Sequence, residues 1–142
     1  MADESNSLRV RLVTPERILF ERTADAVELP AKNGYMEVLY GHAPLLAELG
    51  AGDVRLHGGG GSGDEEIYNV SWGFVEVLPD RVTILANDAL KPAEINVNRA
   101  NEQLERGHKM WDEAGESEEA YNEALHVIAE AEAKLATAAE KH

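Results

Sequence analysis

Up to Ala86, apolar and polar residues mostly alternate with a period of two; from Asn96 onward the period is helical. The first stretch, Leu8–Val13, reads LRVRLV and sets Leu8, Val10 and Leu12 on one face of a half-buried strand. Further short apolar runs follow at Ile18–Phe20, Asp25–Leu29, Tyr35–Leu39, Asp53–Leu56, Glu66–Ser71, Ser71–Leu78 and Arg81–Ala86. Turn residues punctuate them: Thr14-Pro15-Glu16-Arg17, Pro30, Ala31-Lys32-Asn33-Gly34 and Pro79-Asp80. Eight or more short strands without intervening helices predict an all-β sandwich or barrel, with Trp72, Phe74 and Val82 as core candidates.

The period then changes. Val97, Ala100, Leu104 and Trp111 form one helical stripe behind Asn96, a natural N-cap. Gly107 lies in that stripe; it costs about 1 kcal/mol relative to alanine and permits a close helix approach. A second stripe of Tyr121, Leu125, Ile128, Leu135 and Ala138, filled out by Ala124 and Ala131, starts behind the cap residue Ser117. Asp112–Glu116 is the only breaker between the two, so the helices should form an antiparallel hairpin. The expected fold class is a mainly β N-terminal sandwich, residues 1–88, followed by an α-helical antiparallel hairpin, residues 89–142. Both stripes are narrow and alanine-rich and bury little area, which marks the hairpin as a candidate moving part.

One corner stands out. Tyr35–Leu39 runs into Tyr40-Gly41-His42-Ala43-Pro44, where Gly41 can take a positive φ and Pro44 forces Ala43 toward extended geometry. Such a corner fixes an exposed loop carrying His42, either as a turn residue bonded to its own backbone or as a partner contact.

Composition narrows the chemistry. The 142 residues include no cysteine, so disulfides and thiolate metal sites are excluded. A net charge of −14 disfavours nucleic acid and anionic lipid and favours basic protein partners. No apolar run approaches the roughly 20 residues needed to span a bilayer, so no direct membrane insertion is expected. The opening MADESNS reads as neither a secretory signal nor a basic transit peptide. The glycine run after His57, Gly58–Gly61 with Ser62, Gly63 and Asp64, lacks the Lys-Ser/Thr and following helix of a phosphate loop; it reads as a hairpin tip. His42, His57, His108, His126 and His142 show no HxH or HExxH spacing, so no metal site is expected. No nucleophile signature appears, and the expectation is a non-enzymatic chain with no catalytic residue and no cofactor.

Five pieces in order carry a resemblance: VTPERILF (Val13–Phe20), DAVELPAKNGYMEVLYGHAPLL (Asp25–Leu46), GDVRL (Gly52–Leu56), VSWGFVEVLPDRVTILA (Val70–Ala86) and EINVNRA (Glu94–Ala100). Together they resemble the epsilon-subunit family of F-type ATP synthases, called delta in mitochondria. The resemblance implies a sandwich-plus-hairpin fold and a non-catalytic central-stalk role, coupling proton or sodium transport to ATP synthesis. It implies partners in the gamma subunit and the c-ring, and a peripheral place on the cytoplasmic face of a bacterial plasma membrane. The loop matching Tyr35–Ala43 faces the ring in the family, so Tyr35, Glu37 and His42 become the ring-contact candidates.

In bacterial relatives the hairpin is regulatory: it folds against the sandwich or extends toward the alpha and beta catalytic subunits and hinders ATP hydrolysis. Some members bind ATP through an I-D-x-x-R-A motif. The match here gives Ile95, Asn96, Arg99 and Ala100, with Arg106 further along, as ATP-binding candidates. Asn96 replaces the motif's acid, keeping the cap but losing the charge. The second helix carries no arginine, and Glu123 and Glu130 there would repel triphosphate. Its basic residues are Lys134 and Lys141 alone, so strong charge-driven inhibition of hydrolysis is not expected. A nucleotide-sensing module built on Arg99 and Arg106 is the alternative reading.

Overall fold

The computed structural model describes residues 7–58 and 65–140, and the chain divides between Ala89 and Leu90 into two compact units. The glycine-rich run from Gly59 to Asp64, read above as a hairpin tip, lies outside the described residues.

The first unit holds β1 (Leu8–Val13), β2 (Ile18–Ala24), β3 (Ala26–Ala31), β4 (Gly34–Leu39), β5 (Leu45–His57), β6 (Glu65–Leu78) and β7 (Arg81–Leu90). They form one hydrogen-bonded sheet in the order β2-β1-β7-β6-β5-β3-β4. β1 pairs with β7 in parallel and with β2 antiparallel. β3 pairs antiparallel with both β4 and β5.

The described residues hold seven strands rather than eight or more, because two of the runs merge into one, and two of the strands are long. Leu45–Gly52, left outside the strand reading, is the first half of β5; Glu66–Ser71 and Ser71–Leu78 are one strand, β6. The β5–β6 ladder keeps one register from Leu45↔Val77 to His57↔Glu65. A bend, not an end, lies in its middle. Trp72 has φ 57° and Gly73 φ 129°, outside extended geometry, so β6 changes direction there without leaving the ladder. Only glycine fits at 73, since a Cβ would overlap the Leu85 carbonyl oxygen on β7.

Alternation places the core. Leu8, Val10 and Leu12 of β1, Val27 and Leu29 of β3, Val70, Val75 and Val77 of β6, and Val82 and Ile84 of β7 are all fully buried. Phe20 and Tyr68 meet at the same core with ring centroids 4.9 Å apart. Of the three predicted core residues Val82 is buried, Trp72 is half-buried and Phe74 is 52% exposed. Phe74 is the correction. Val75 and Val77 take the inward positions of β6, so the period of two turns Phe74 outward.

The second unit begins with a 3-10 turn at Pro92–Glu94, then α1 (Val97–Glu113) and α2 (Glu118–Ala139). Asn96 caps α1 by accepting a hydrogen bond from the Arg99 amide at 3.1 Å, and Ser117 caps α2 by accepting from Ala120. Gly115, φ 60°, turns the chain between them. The helices meet through small residues. A Cβ at Gly107 would stand 2.7 Å from Ile128 Cγ1 and 3.2 Å from the Ile128 amide nitrogen. Ala100, Ala114, Ala124 and Ala131 are buried, and Ile128 is the large apolar side chain buried on α2.

The stripes are narrower than periodicity suggests. Val97, Trp111 and Tyr121 are exposed, whereas Lys134 and Thr137 are buried. Thr137 donates its hydroxyl to the Ala133 carbonyl at 2.9 Å, and Lys134 Nζ lies 3.1 Å from Glu130 Oε2.

Candidate functional site

The corner after β4 is a hydrogen-bonded turn. The His42 amide donates to the Leu39 carbonyl at 3.1 Å, and Gly41, φ 91°, donates to the Pro79 carbonyl at 2.6 Å. The second bond ties this loop to the β6–β7 connection, so two neighbouring loops brace each other. His42 is half-buried, and its Nδ1 lies 2.6 Å from the Ala43 carbonyl oxygen. A carbonyl only accepts, so Nδ1 carries the proton there. The imidazole thus stiffens its own turn.

Tyr35 and Glu37 lie on the exposed side of β4, with Leu39 in the same alternating set, while Met36 and Val38 turn inward. Tyr35 is 60% exposed, yet its hydroxyl accepts a hydrogen bond from the Asp53 amide at 2.9 Å. That bond depends on Gly52, because any Cβ there would occupy the space of the Tyr35 hydroxyl. The β3–β5 register shifts between Glu28 and Ala31, opposite this stretch of β5. The tyrosine therefore satisfies a backbone donor where the ladder is interrupted.

An apolar stripe that the sequence reading did not find crosses the outer face of the sheet. Ile18 of β2 opposes Val13 of β1, and Val13 opposes Leu85 of β7. The short Pro79-Asp80 connection sets Phe74 of β6 beside Leu85, and Phe74 opposes Glu48 of β5, two residues from Leu46. Ile18, Leu85, Phe74 and Leu46 are 51, 48, 52 and 71% exposed. Isolated exposed apolar residues are ordinary; four of them in a row on β2, β7, β6 and β5, bridged on β1 by the half-buried Val13, mark an interaction face. The parity of each strand was the available signal: Phe74 and Leu85 are out of phase with the valines and isoleucine that fill the core.

The five candidates for nucleotide binding do not converge. Arg99 and Arg106 are exposed and seven residues apart, hence on one face of α1. Ile95 and Ala100 are buried. Asn96 spends its carbonyl oxygen on the α1 cap. On α2, Glu123 is exposed and Glu130 pairs with Lys134. Among the described residues no group of three or more histidine or acidic side chains is arranged to hold a metal ion. No described helix is long and apolar enough to cross a membrane.

The model of the ATP synthase delta/epsilon chain beta-sandwich domain matches residues 7–101. The chain belongs to the delta/epsilon chain family of ATP synthases. It is similar over nearly its whole length to the ATP synthase epsilon chain of Solibacter usitatus, 39% identical over 144 residues that cover 96% of this chain and 98% of the relative. The epsilon chain of Koribacter versatilis is 38% identical over 78% of this chain and 76% of its own. Among solved structures, a chain of the Euglena gracilis mitochondrial ATP synthase (OSCP/F1/c-ring) superposes with a TM-score of 0.76 at 20% identity. That match covers 92% of this chain and 81% of the other. A chain of the Tetrahymena thermophila mitochondrial ATP synthase central stalk and c-ring gives 0.64 at 13% identity, covering 92% and 96%. At such identities these two likenesses establish the fold. Epsilon-chain membership is thus carried by sequence, and the sandwich followed by two helices is the form that membership takes here.

Proposed function

We propose that this chain is a non-catalytic rotor subunit of the ATP synthase, joining gamma to the ring of c subunits and coupling ion flow to ATP synthesis. The observation that carries this is the pairing of a braced corner with a separate apolar stripe on one stiff sheet, in a member of the epsilon-chain family. Torque has to pass through surfaces that do not yield. The corner, with Tyr35, Glu37 and His42, would meet the polar loops of the ring. The stripe of Ile18, Leu85, Phe74 and Leu46 suits the larger, drier contact with gamma.

The likeness to chains of the Euglena OSCP/F1/c-ring assembly and the Tetrahymena central stalk and c-ring supports these partners. Such partners would keep the chain peripheral on the membrane's cytoplasmic side. The hairpin is the regulatory element in this reading, and the acidic excess of α2 makes its hold on hydrolysis weak. The nucleotide-sensing alternative has Arg99 and Arg106 in its favour, and the spent Asn96 cap and Glu123 against it.

The test is reconstitution with gamma and the ring. Rebuilding Tyr40–Pro44 with glycine and serine should leave gamma binding intact and depress gradient-driven ATP synthesis. Phe74→Asp with Leu85→Asp should abolish co-purification with gamma. A chain that joined neither partner would overturn the assignment. Removing residues 89–142 should change ATP hydrolysis little; a large rise would show the acidic helix to be an inhibitor.

A further inference from the structure

The turn end of the helical hairpin carries a feature that the rotor reading leaves unused. Trp111, in the last turn of α1, and Tyr121, in the first turn of α2, meet edge to face with ring centroids 5.1 Å apart. Both rings remain open to solvent, at 41 and 37% exposure. Aromatic pairs of this kind normally close over a core, where their large area is most valuable. Here they sit at the far end of the helix pair, on surface.

Beyond Lys109, one turn before Glu113, the charge around them is one-sided. Asp112, Glu113, Glu116, Glu118, Glu119 and Glu123 flank the pair, and residues 112–123 contain no lysine or arginine. All six carboxylates are exposed, and among the described residues none makes an ion pair or a side-chain hydrogen bond. Glu118 and Glu119 gain from the α2 N-terminus, but Asp112 and Glu113 lie at the C-terminal end of α1, whose dipole repels them; no basic residue stands in that last turn. The hairpin is therefore less stable at this end than its sequence could make it, for no internal gain. A cation supplied from outside would relieve the repulsion.

We propose that this end of the hairpin is a docking site for an arginine-bearing segment of a protein partner. A guanidinium is planar and weakly hydrated, stacks on indole and phenol faces, and pairs with carboxylates through a fixed fork of donors. The site offers both halves of that chemistry side by side: two exposed rings and a rim of unpaired carboxylates. Lysine would find the charge but gain less from the rings. The proposal is independent of the ring and gamma contacts, since it uses no residue of the sandwich.

Two indoles, Trp72 and Trp111, make the experiment direct on the intact chain. An alternating Arg-Ala peptide and its Lys-Ala counterpart are titrated while the indole N–H and backbone amides are followed by NMR. The expected result is a saturable shift of the Trp111 indole and of amides 111–123, with the Trp72 indole still. The Arg peptide should bind about fivefold more tightly than the Lys peptide. Trp111→Leu keeps an apolar side chain and all six charges, and should lose that preference. The triple change Glu116→Gln, Glu118→Gln and Glu119→Gln should weaken both peptides. Equal affinity for the two peptides, an unchanged preference in Trp111→Leu, or shifts spread evenly over the acidic surface of both units would overturn the proposal.

Discussion

In the sandwich most buried positions belong to leucine, valine and isoleucine at essentially zero exposure; in the two helices they belong largely to alanine and glycine around one isoleucine, Ile128, with Lys134 and Thr137. Fully burying one branched aliphatic side chain is worth about 1.5–3 kcal/mol, whereas an alanine methyl contributes roughly 0.8. The sandwich core joins strands distant in sequence, so no part of it opens alone without exposing its neighbours. The hairpin pairs two consecutive helices along a thin seam. One chain thus holds a unit built to stay shut beside a unit whose local opening is cheap. That difference suits a platform that transmits force and an arm that changes place.

The harshest way to break the comparison is at the bend of β6. Gly73 combines φ 129° with a Cβ position that collides with the Leu85 carbonyl. Gly73→Ala should cost the sandwich about 4 kcal/mol, summing backbone strain and overpacking. Denaturant unfolding followed by the Trp72 signal would measure it. A loss near zero would mean the two long strands do not need their shared bend.

A gentler probe removes area and leaves the backbone alone. Leu12, fully buried in β1, should lose about 3 kcal/mol on change to alanine. Amide exchange should then accelerate across β1, β2 and β7 together, because their ladders share that core. Exchange confined to β1 would argue against a single cooperative platform.

The parts of this design legible in sequence were those where one local rule acted alone. Alternation placed Leu8, Val10 and Leu12 inward, and the two caps, Asn96 and Ser117, stand where their residue types put them. The long β5 and β6 read in pieces from sequence, β5 only from Asp53 after Gly50 and Gly52 and β6 as two runs meeting at Ser71, because the ladder across these points is invisible there. Phe74 was read as core because an aromatic in a strand is assumed to be buried, although its phase against Val75 and Val77 said otherwise. The Tyr35–Asp53 bond and the brace from Gly41 to Pro79 link residues far apart in sequence, and no periodicity reports such partners. Lys134 was beyond pattern reading too, since a lysine at a buried helical position violates the rule being applied.

In the hairpin, packing and propensity oppose each other at Gly107. Alanine would gain about 1 kcal/mol of helix propensity. Its Cβ, however, would press on Ile128 and Val127, a contact whose relief costs about 1–3 kcal/mol. Gly107→Ala should therefore loosen the hairpin by about 1 kcal/mol net. Exchange of α2 amides near Ile128 would quicken while sandwich amides stay unchanged. A stabilised hairpin would mean the seam is slack enough to absorb a methyl group.

The smallest effects should come from the α1 cap, where two substitutions pull in opposite directions. Asn96→Ala removes the side-chain oxygen that accepts the Arg99 amide and should cost about 1 kcal/mol. Asn96→Asp keeps an acceptor and adds a negative charge at the positive end of the helix, for a gain of about 0.5 kcal/mol. Both changes act on the first turn of α1, so protection of amides 99–103 is the readout, compared with core amides of β6 and β7 as internal controls. If the hairpin opens locally, the two variants move those amides apart and leave the controls where they were. If both sets of amides shift together, the hairpin and the sandwich unfold as one body, and the contrast between a fixed platform and a loose arm fails.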